Sequence, residues 1–409
     1  MAARVPPYLL RLTVENFKSL RKVDLHLGML NVLVGPNGAG KTNLLDVIRF
    51  LGDSVREDLE PAVRRRGGMD RLLFRGEGTH LSARVKIGIE AAVTKHSNER
   101  ATDNYTLTFR TLAVRASRAD DKPRRVLNRT EEFLFKRTAG RGRRITINGG
   151  DISFIEDDDE VDFRTSLREG SLGLATLPRL GREQGGEQVD ALAELFASFR
   201  VFEVNVAAAR LPSAVMTSRH LNENGDNLAA FLQYMYLEHE DLFINLVEDA
   251  RFFIPGLAHI EFDSVGGATD ATVLKIKEEG LKGLTDLADM SFGSIRALAL
   301  LALLYDPHPP KLTCIEEIDH GLHPHVLDRL VELLRDASRR TQLLVATHSP
   351  PLVNRLYAHE LIVCERRSDA SSAIPAISSE QVRQMEIALD GELGLGELWF
   401  TGALGGIPK

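Results

Sequence analysis

The stretch Gly35-Pro36-Asn37-Gly38-Ala39-Gly40-Lys41-Thr42 decides how the rest of the chain is read. It satisfies the pattern G-x-x-x-x-G-K-[ST], and its flanks are the ones the pattern requires. Asn31–Val34, just before it, is a short apolar run that reads as a strand. After it, Leu44, Leu45, Val47, Ile48 and Leu51 fall at helical spacing, with Gly52-Asp53 as the expected helix end. Glycines let backbone N–H groups turn inward around phosphate oxygens with no Cβ in the way. The following helix presents its positive end to the same anion. Lys41 is placed to reach the β- and γ-phosphates, and the Thr42 hydroxyl to ligate Mg²⁺. ATP with Mg²⁺ is therefore the expected ligand, held by Asn37, Gly38, Ala39, Gly40, Lys41 and Thr42. The alternative is a glycine-rich strand–helix turn that holds nothing.

Three further features gain meaning behind such a loop. Leu312–Ile315 is an apolar strand that ends in Glu316-Glu317. Successive strand residues point to opposite faces, so the two carboxylates take different work. Glu316 is expected to face the metal, and Glu317 to polarise the water that attacks the γ-phosphate. Met290-Ser291-Phe292-Gly293-Ser294 opens the run Ile295–Tyr305, another anion-ready helix start, although the residues alone favour plain capping by Ser294. Leu343–Ala346 leads to Thr347-His348-Ser349-Pro350, which puts His348 on the rim of a parallel sheet where ligands sit. There His348 can hydrogen-bond the γ-phosphate or the attacking water.

Composition sets outer limits. The chain has 409 residues, 43% hydrophobic and 27% charged, as in ordinary globular proteins. Its longest apolar stretch, Ala297–Tyr305, is far short of the ~18 residues of a membrane span, so no membrane role is expected. The N-terminus does not read as a signal peptide. Cys314 and Cys364 lie in apolar runs and read as packing, which suits a reducing, cytoplasmic setting. A net charge of −7 argues against a wholly basic nucleic-acid binder.

Between about 80 and 150 the texture is that of short antiparallel strands, with Val85, Ile87 and Ile89, Tyr105, Leu107 and Phe109, and Ile145 and Ile147 at alternate positions. Residues 111–144 hold eleven Lys/Arg against four Asp/Glu, and 151–162 hold seven acids and no base; both blocks read first as solvated loops. Residues 186–250 read as helices, with Leu228–Ala250 as one of them, and Pro255–Ile276 returns to strand-like alternation.

Taken in order, these features resemble the ABC-type ATPase heads of the RecF/SMC group, and more closely the standalone AAA-family ATPases of RecF-like type. Asn16-Phe17-Lys18-Ser19 looks like that group's N-terminal strand, and Asn43 after Thr42 is also its habit, which adds Asn43 to the binding set. Glu316-Glu317 with Gly321-Leu322-His323-Pro324 resembles its Walker B and D-loop, and Thr347–Pro350 its H-loop. Gly225–Ala230 and Leu395–Gly402 are similar to further stretches of bacterial members. The resemblance implies an α/β fold, a P-loop NTPase of ABC/RecF head type with an antiparallel β subdomain and a short helical lobe. The corresponding divisions are 1–185, with the loop and the β subdomain, 186–262 as the helical lobe, and 263–409 with the remaining motifs. It also implies a homodimer in which two heads sandwich two ATP molecules. Each site would join the loop, Glu317 and His348 of one chain to Ser291 and Gly293 of the other.

Three positions depart from the pattern. Phe292 stands where the group has a small or acidic residue, Glu316 where Asp is commoner, and no Gln occurs between 43 and 183 to serve as the Q-loop residue. Slow or partner-stimulated ATP hydrolysis is the expected consequence. Two functions follow from the resemblance. One is control of a co-encoded, nuclease-like effector in bacterial anti-phage defence. The other is RecF-like DNA repair or DNA sensing, with basic residues 111–144 and Arg64-Arg65-Arg66 tracking phosphates.

Overall fold

The computed structural model describes residues 9–76, 83–114, 124–136, 142–156, 159–161, 167–168, 170–179, 185–214, 219–266, 271–388 and 393–405. A five-stranded parallel sheet forms its centre, in the order Arg200–Phe202, Leu312–Ile315, Gln342–Thr347, Leu30–Val34, Leu361–Val363. Every residue of the three middle strands is buried. A parallel sheet covered on both faces demands such continuous apolar runs rather than alternation. Leu30, Val32 and Val34 face one core, and Leu33 faces the other.

The first core is closed by helices Leu228–Glu238, Glu240–Phe253, Phe292–Leu304 and Leu327–Ala337. In the second, helix Lys41–Glu57 packs between the parallel sheet and a strongly antiparallel one. That second sheet has eight strands: Leu20–His26, Leu9–Phe17, Val85–Ala91, Asp103–Val114, Arg124–Phe135, Arg143–Asn148, Asp151–Glu156 and Asp159–Val161. The antiparallel region expected from about 80 thus begins with the first two strands of the chain.

Several expectations are corrected. Helix Lys41–Glu57 runs through Gly52-Asp53 instead of stopping there. Gly52 is a packing glycine: a Cβ on it would come within 3.2 Å of the Phe196 carbonyl oxygen. Asp53 is tied to Arg56 at 3.0 Å and Arg66 at 2.9 Å. Leu228–Ala250 is two helices, broken at His239, whose Nε2 lies 2.9 Å from the Tyr234 hydroxyl. The charged blocks are mostly strands rather than loops; residues 115–123, 137–141, 157–158 and 162 lie outside the described residues. Segment 186–262, expected as a helical lobe, also supplies the edge strand Arg200–Phe202 of the parallel sheet. Both cysteines are buried and free, as expected, and burial pushes the Cys364 thiol up to about 12.

Arginine pairing matters for the DNA expectation. Arg129 and Arg143, within the basic block, are buried. Arg64 is paired with Glu60, Arg65 with Glu57, and Arg66 with both Asp46 and Asp53.

Candidate nucleotide-binding site

All five parallel strands end on one rim, and the loop leaves that rim from Val34. Gly38 and Gly40 have φ of +80° and +104°, a region that side chains other than glycine rarely enter. Helix Lys41–Glu57 starts directly after Gly40 with no side-chain cap on its first amides. Those N–H groups are left facing the loop, as an anion site needs. The Lys41 ammonium folds back onto the carbonyls of Gly35 at 2.5 Å and Pro36 at 3.1 Å, and burial lowers its pKa. A Cβ on Gly40 would sit 2.1 Å from Ser372 Oγ. Gly40→Ala therefore meets both a steric clash and left-handed strain, and ATP affinity is expected to fall by about tenfold or more, read by nucleotide titration.

A cleft of ≈ 340 Å³ opens between the loop and the neighbouring strand ends. That is at the small end of ligand clefts, which run from roughly 300 to 1,000 Å³. Asn37, Gly38, Gly40, Lys41, Thr42 and Asn43 line it, together with Glu316, Glu317 and His348. Ala39 does not: its side chain is buried in the core and its amide donates to the Pro36 carbonyl at 3.2 Å. Asn43 reaches the other way as well, donating to Ser19 Oγ at 2.7 Å, which in turn lies 2.7 Å from Ser372 Oγ. This is how the Asn16–Ser19 turn, with φ of +60° at Asn16 and +50° at Lys18, is fastened to the loop.

The two glutamates lie just past the end of strand Leu312–Ile315, outside its alternation, and both line the cleft. Thr42 Oγ1 donates to Glu316 Oε2 at 3.3 Å, and Glu316 Oε1 is buried without a hydrogen-bond partner. Burial, then the nearby Glu203, raises the Glu316 carboxyl pKa. A hydroxyl beside a carboxylate with a spare buried oxygen fits a hard divalent cation such as Mg²⁺. Glu317 has φ of +47°, and its carboxylate stands 3.3 Å from His320 Nδ1. His348 is exposed on the next strand end.

Four residues were not singled out from sequence. Arg296, only 5% exposed, donates through Nη2 to the carbonyls of Glu316 at 3.2 Å and Glu317 at 2.5 Å. It holds the backbone of the left-handed turn from the helix that Ser291 opens. Its signal was a single charge inside an otherwise apolar helix. Glu203 follows the edge strand whose Phe202 pairs with Ile315, so it stands level with Glu316. Asp319 accepts from Thr347 Oγ1 at 2.5 Å, joining the loop after Glu317 to the strand before His348. Arg366 donates to the Gly38 carbonyl at 3.1 Å and lines the cleft mouth.

Ser291 and Gly293 do not line this cleft. Ser291 caps helix Phe292–Leu304, accepting from the Ser294 amide at 3.1 Å, so the cap is Ser291 and not Ser294. Gly293 lies against the Gly321 carbonyl oxygen, which a Cβ would approach to 2.5 Å. Phe292 instead lines a second cleft of ≈ 780 Å³, which shares Glu316 and Glu317 with the first and adds Glu203, Arg210, Arg296 and His320.

With this geometry in view, residues 30–354 match the family described as "AAA domain, putative AbiEii toxin, Type IV TA system". The chain belongs to this family. Among curated proteins, the OLD nuclease of Thermus scotoductus is 50% identical over 54 residues, 13% of this chain and 10% of the nuclease. The DNA replication and repair protein RecF of Lactobacillus acidophilus is 39% identical over 80 residues, 19% of this chain and 20% of RecF. The matches thus span a fifth or less of these relatives. A solved Smc head bound to the C-terminal winged-helix domain of ScpA superposes with a TM-score of 0.55 at 15% identity, covering 92% of this chain and all of that one. The fold is that of an ABC-type ATPase head, as expected. No helix among the described residues is long and apolar enough to cross a membrane.

Proposed function

We propose that this chain hydrolyses ATP, and that its site is completed by a second copy of itself. The observation that carries this reading is the division of the motifs. The phosphate loop, both glutamates and His348 share one cleft, while Ser291 and Gly293 lie off it on the same chain. In this reading the loop amides and Lys41 hold the β- and γ-phosphates, and Thr42 and Glu316 hold Mg²⁺. The metal, when bound, neutralises charge on the phosphate oxygens. Glu317 orients a water and accepts its proton, and His348 donates to the γ-phosphate. Ser291 and Gly293 of the other copy close the site head-to-tail.

The family's description and the likeness to a nuclease support a role in anti-phage defence, in which the ATP-bound dimer regulates a co-encoded, nuclease-like effector. The name of the RecF relative favours the second reading, DNA repair or DNA sensing. Against its basic-segment form stand the inward-turned Arg129 and Arg143 and the paired Arg66. DNA binding at low salt that falls steeply as salt rises would restore it. The ATP-bound dimer common to both readings is tested by native mass of the Glu317→Gln chain. Doubling on addition of ATP and Mg²⁺ is expected, and a monomer at saturating ATP contradicts it.

A further inference from the structure

Phe292 is the residue at which the serine-led turn departs from the family pattern, and its surroundings give that departure a use. The residue is 45% exposed, yet its ring rests on the loop that follows Glu317. The ring centroid lies 5.3 Å from that of His320, tilted by 51°. A Cβ on Gly321 would come within 2.8 Å of the same ring, and one on Gly293 within 2.5 Å of the Gly321 carbonyl oxygen. The turn led by Ser291 and the turn led by Glu317 therefore meet through ring and backbone, with no space at either glycine for a side chain.

His320 carries the contact onward. Its amide donates to the Glu317 carbonyl at 3.0 Å, which closes the left-handed turn, and its Nδ1 stands 3.3 Å from Glu317 Oε2. Arg296, on the helix that Phe292 begins, holds the Glu317 carbonyl from the other side. The Glu317 side chain is 56% exposed, so without the imidazole its carboxylate would wander among rotamers.

We propose that His320 is the positioning residue for Glu317 and that Phe292 sets His320. The turn that faces a second copy's nucleotide then governs the water-orienting carboxylate of its own site. A nucleotide pressed against Phe292 moves the ring, and His320 and Glu317 move with it, so each site reports its occupancy to the other. This rests on the ATPase reading above.

Steady-state turnover of the full chain tests it. His320→Ala is expected to lower kcat by ~10–100-fold, the scale of a misplaced reacting group, with KM for ATP little changed. His320→Asn keeps an N–H donor near the place of Nδ1 and recovers most of kcat. Phe292→Ala lowers kcat in the same direction, and the double variant Phe292→Ala/His320→Ala is no slower than the worse single one. Wild-type kcat in His320→Ala, no recovery in His320→Asn, or losses that multiply in the double variant each overturn the proposal. ATP binding by each variant shows that it is folded. If wild type turns over, Glu317→Gln does not, and the His320 variants match wild type, this proposal alone falls. If wild type binds ATP without turnover, the ATPase reading falls and takes the proposal with it.

Discussion

Glu317→Gln is expected to cut phosphate release steeply while leaving ATP binding in place. The expected fall in turnover is ~10²–10⁴-fold, the contribution of a positioned base. The substitution isolates chemistry from architecture. The amide has the shape of the carboxylate and keeps an oxygen for His320 Nδ1. The main chain at residue 317, with φ of +47°, stays held by Arg296 through two carbonyls. Lys41, Thr42 and Glu316, which bind phosphates and metal in this account, are untouched. A stopped assay of released phosphate, beside a binding titration with labelled ATP, separates the two effects. Turnover that survives the change would transfer the base to another titratable side chain of the cleft, with His348 the first to replace.

Glu131→Ala costs about 3–5 kcal/mol of stability, the penalty for stripping one partner from a buried ion pair. Arg129 and Glu131 are both fully buried in the antiparallel sheet, with Nε 2.9 Å from Oε1. Glu131 also accepts from the Tyr105 hydroxyl at 3.0 Å and the Gly173 amide at 2.7 Å. Arg129 donates on to the Gly149 and Ser171 carbonyls. Removing the carboxylate leaves a cation, a hydroxyl and an amide unpaired in an apolar layer with Phe133 and Phe196. A lower urea midpoint at unchanged slope is the expected reading. Arg129→Met/Glu131→Leu, which replaces both charges with apolar volume, should recover much of the loss. A Glu131→Ala chain as stable as wild type would mean that the pair is solvated in solution.

That pair also explains where sequence reading stopped. Strand Arg124–Phe135 has the period of two, with Leu127, Phe133 and Phe135 facing the core. Two of its inward positions are Arg129 and Glu131, and charges at core positions disguise a strand as a solvated block. The break at His239 was hidden for the opposite reason, because the residues on either side keep a helical pattern. Gly52 read as a stop because a packing glycine and a terminating one look alike until Phe196 is placed beside it.

The site divides along the same line. The grouping of the Gly35–Thr42 loop with Glu316, Glu317 and His348 in one cleft was legible, because the loop is a run of consecutive residues and each of the others follows an apolar strand that a parallel sheet brings to one rim. Glu203, Arg296, Asp319 and Arg366 act through contacts across 20 to more than 300 positions of chain, with no local pattern to mark them. Ser291 and Gly293 were read as an anion site from the resemblance, and the single chain leaves them away from the loop. In the proposed reading their role depends on a second molecule.

The most direct test of that dependence mixes two inactive chains. Lys41→Ala lacks a working phosphate loop but keeps Ser291, and Ser291→Arg blocks the capping turn but keeps the loop. Each alone forms only defective sites. Paired, the loop of one and the turn of the other build one intact site per heterodimer. The account predicts that equimolar mixing restores ATP turnover, rising with total protein concentration as dimers form. A mixture that stays as inactive as its parts, while wild type hydrolyses ATP under the same conditions, would contradict it.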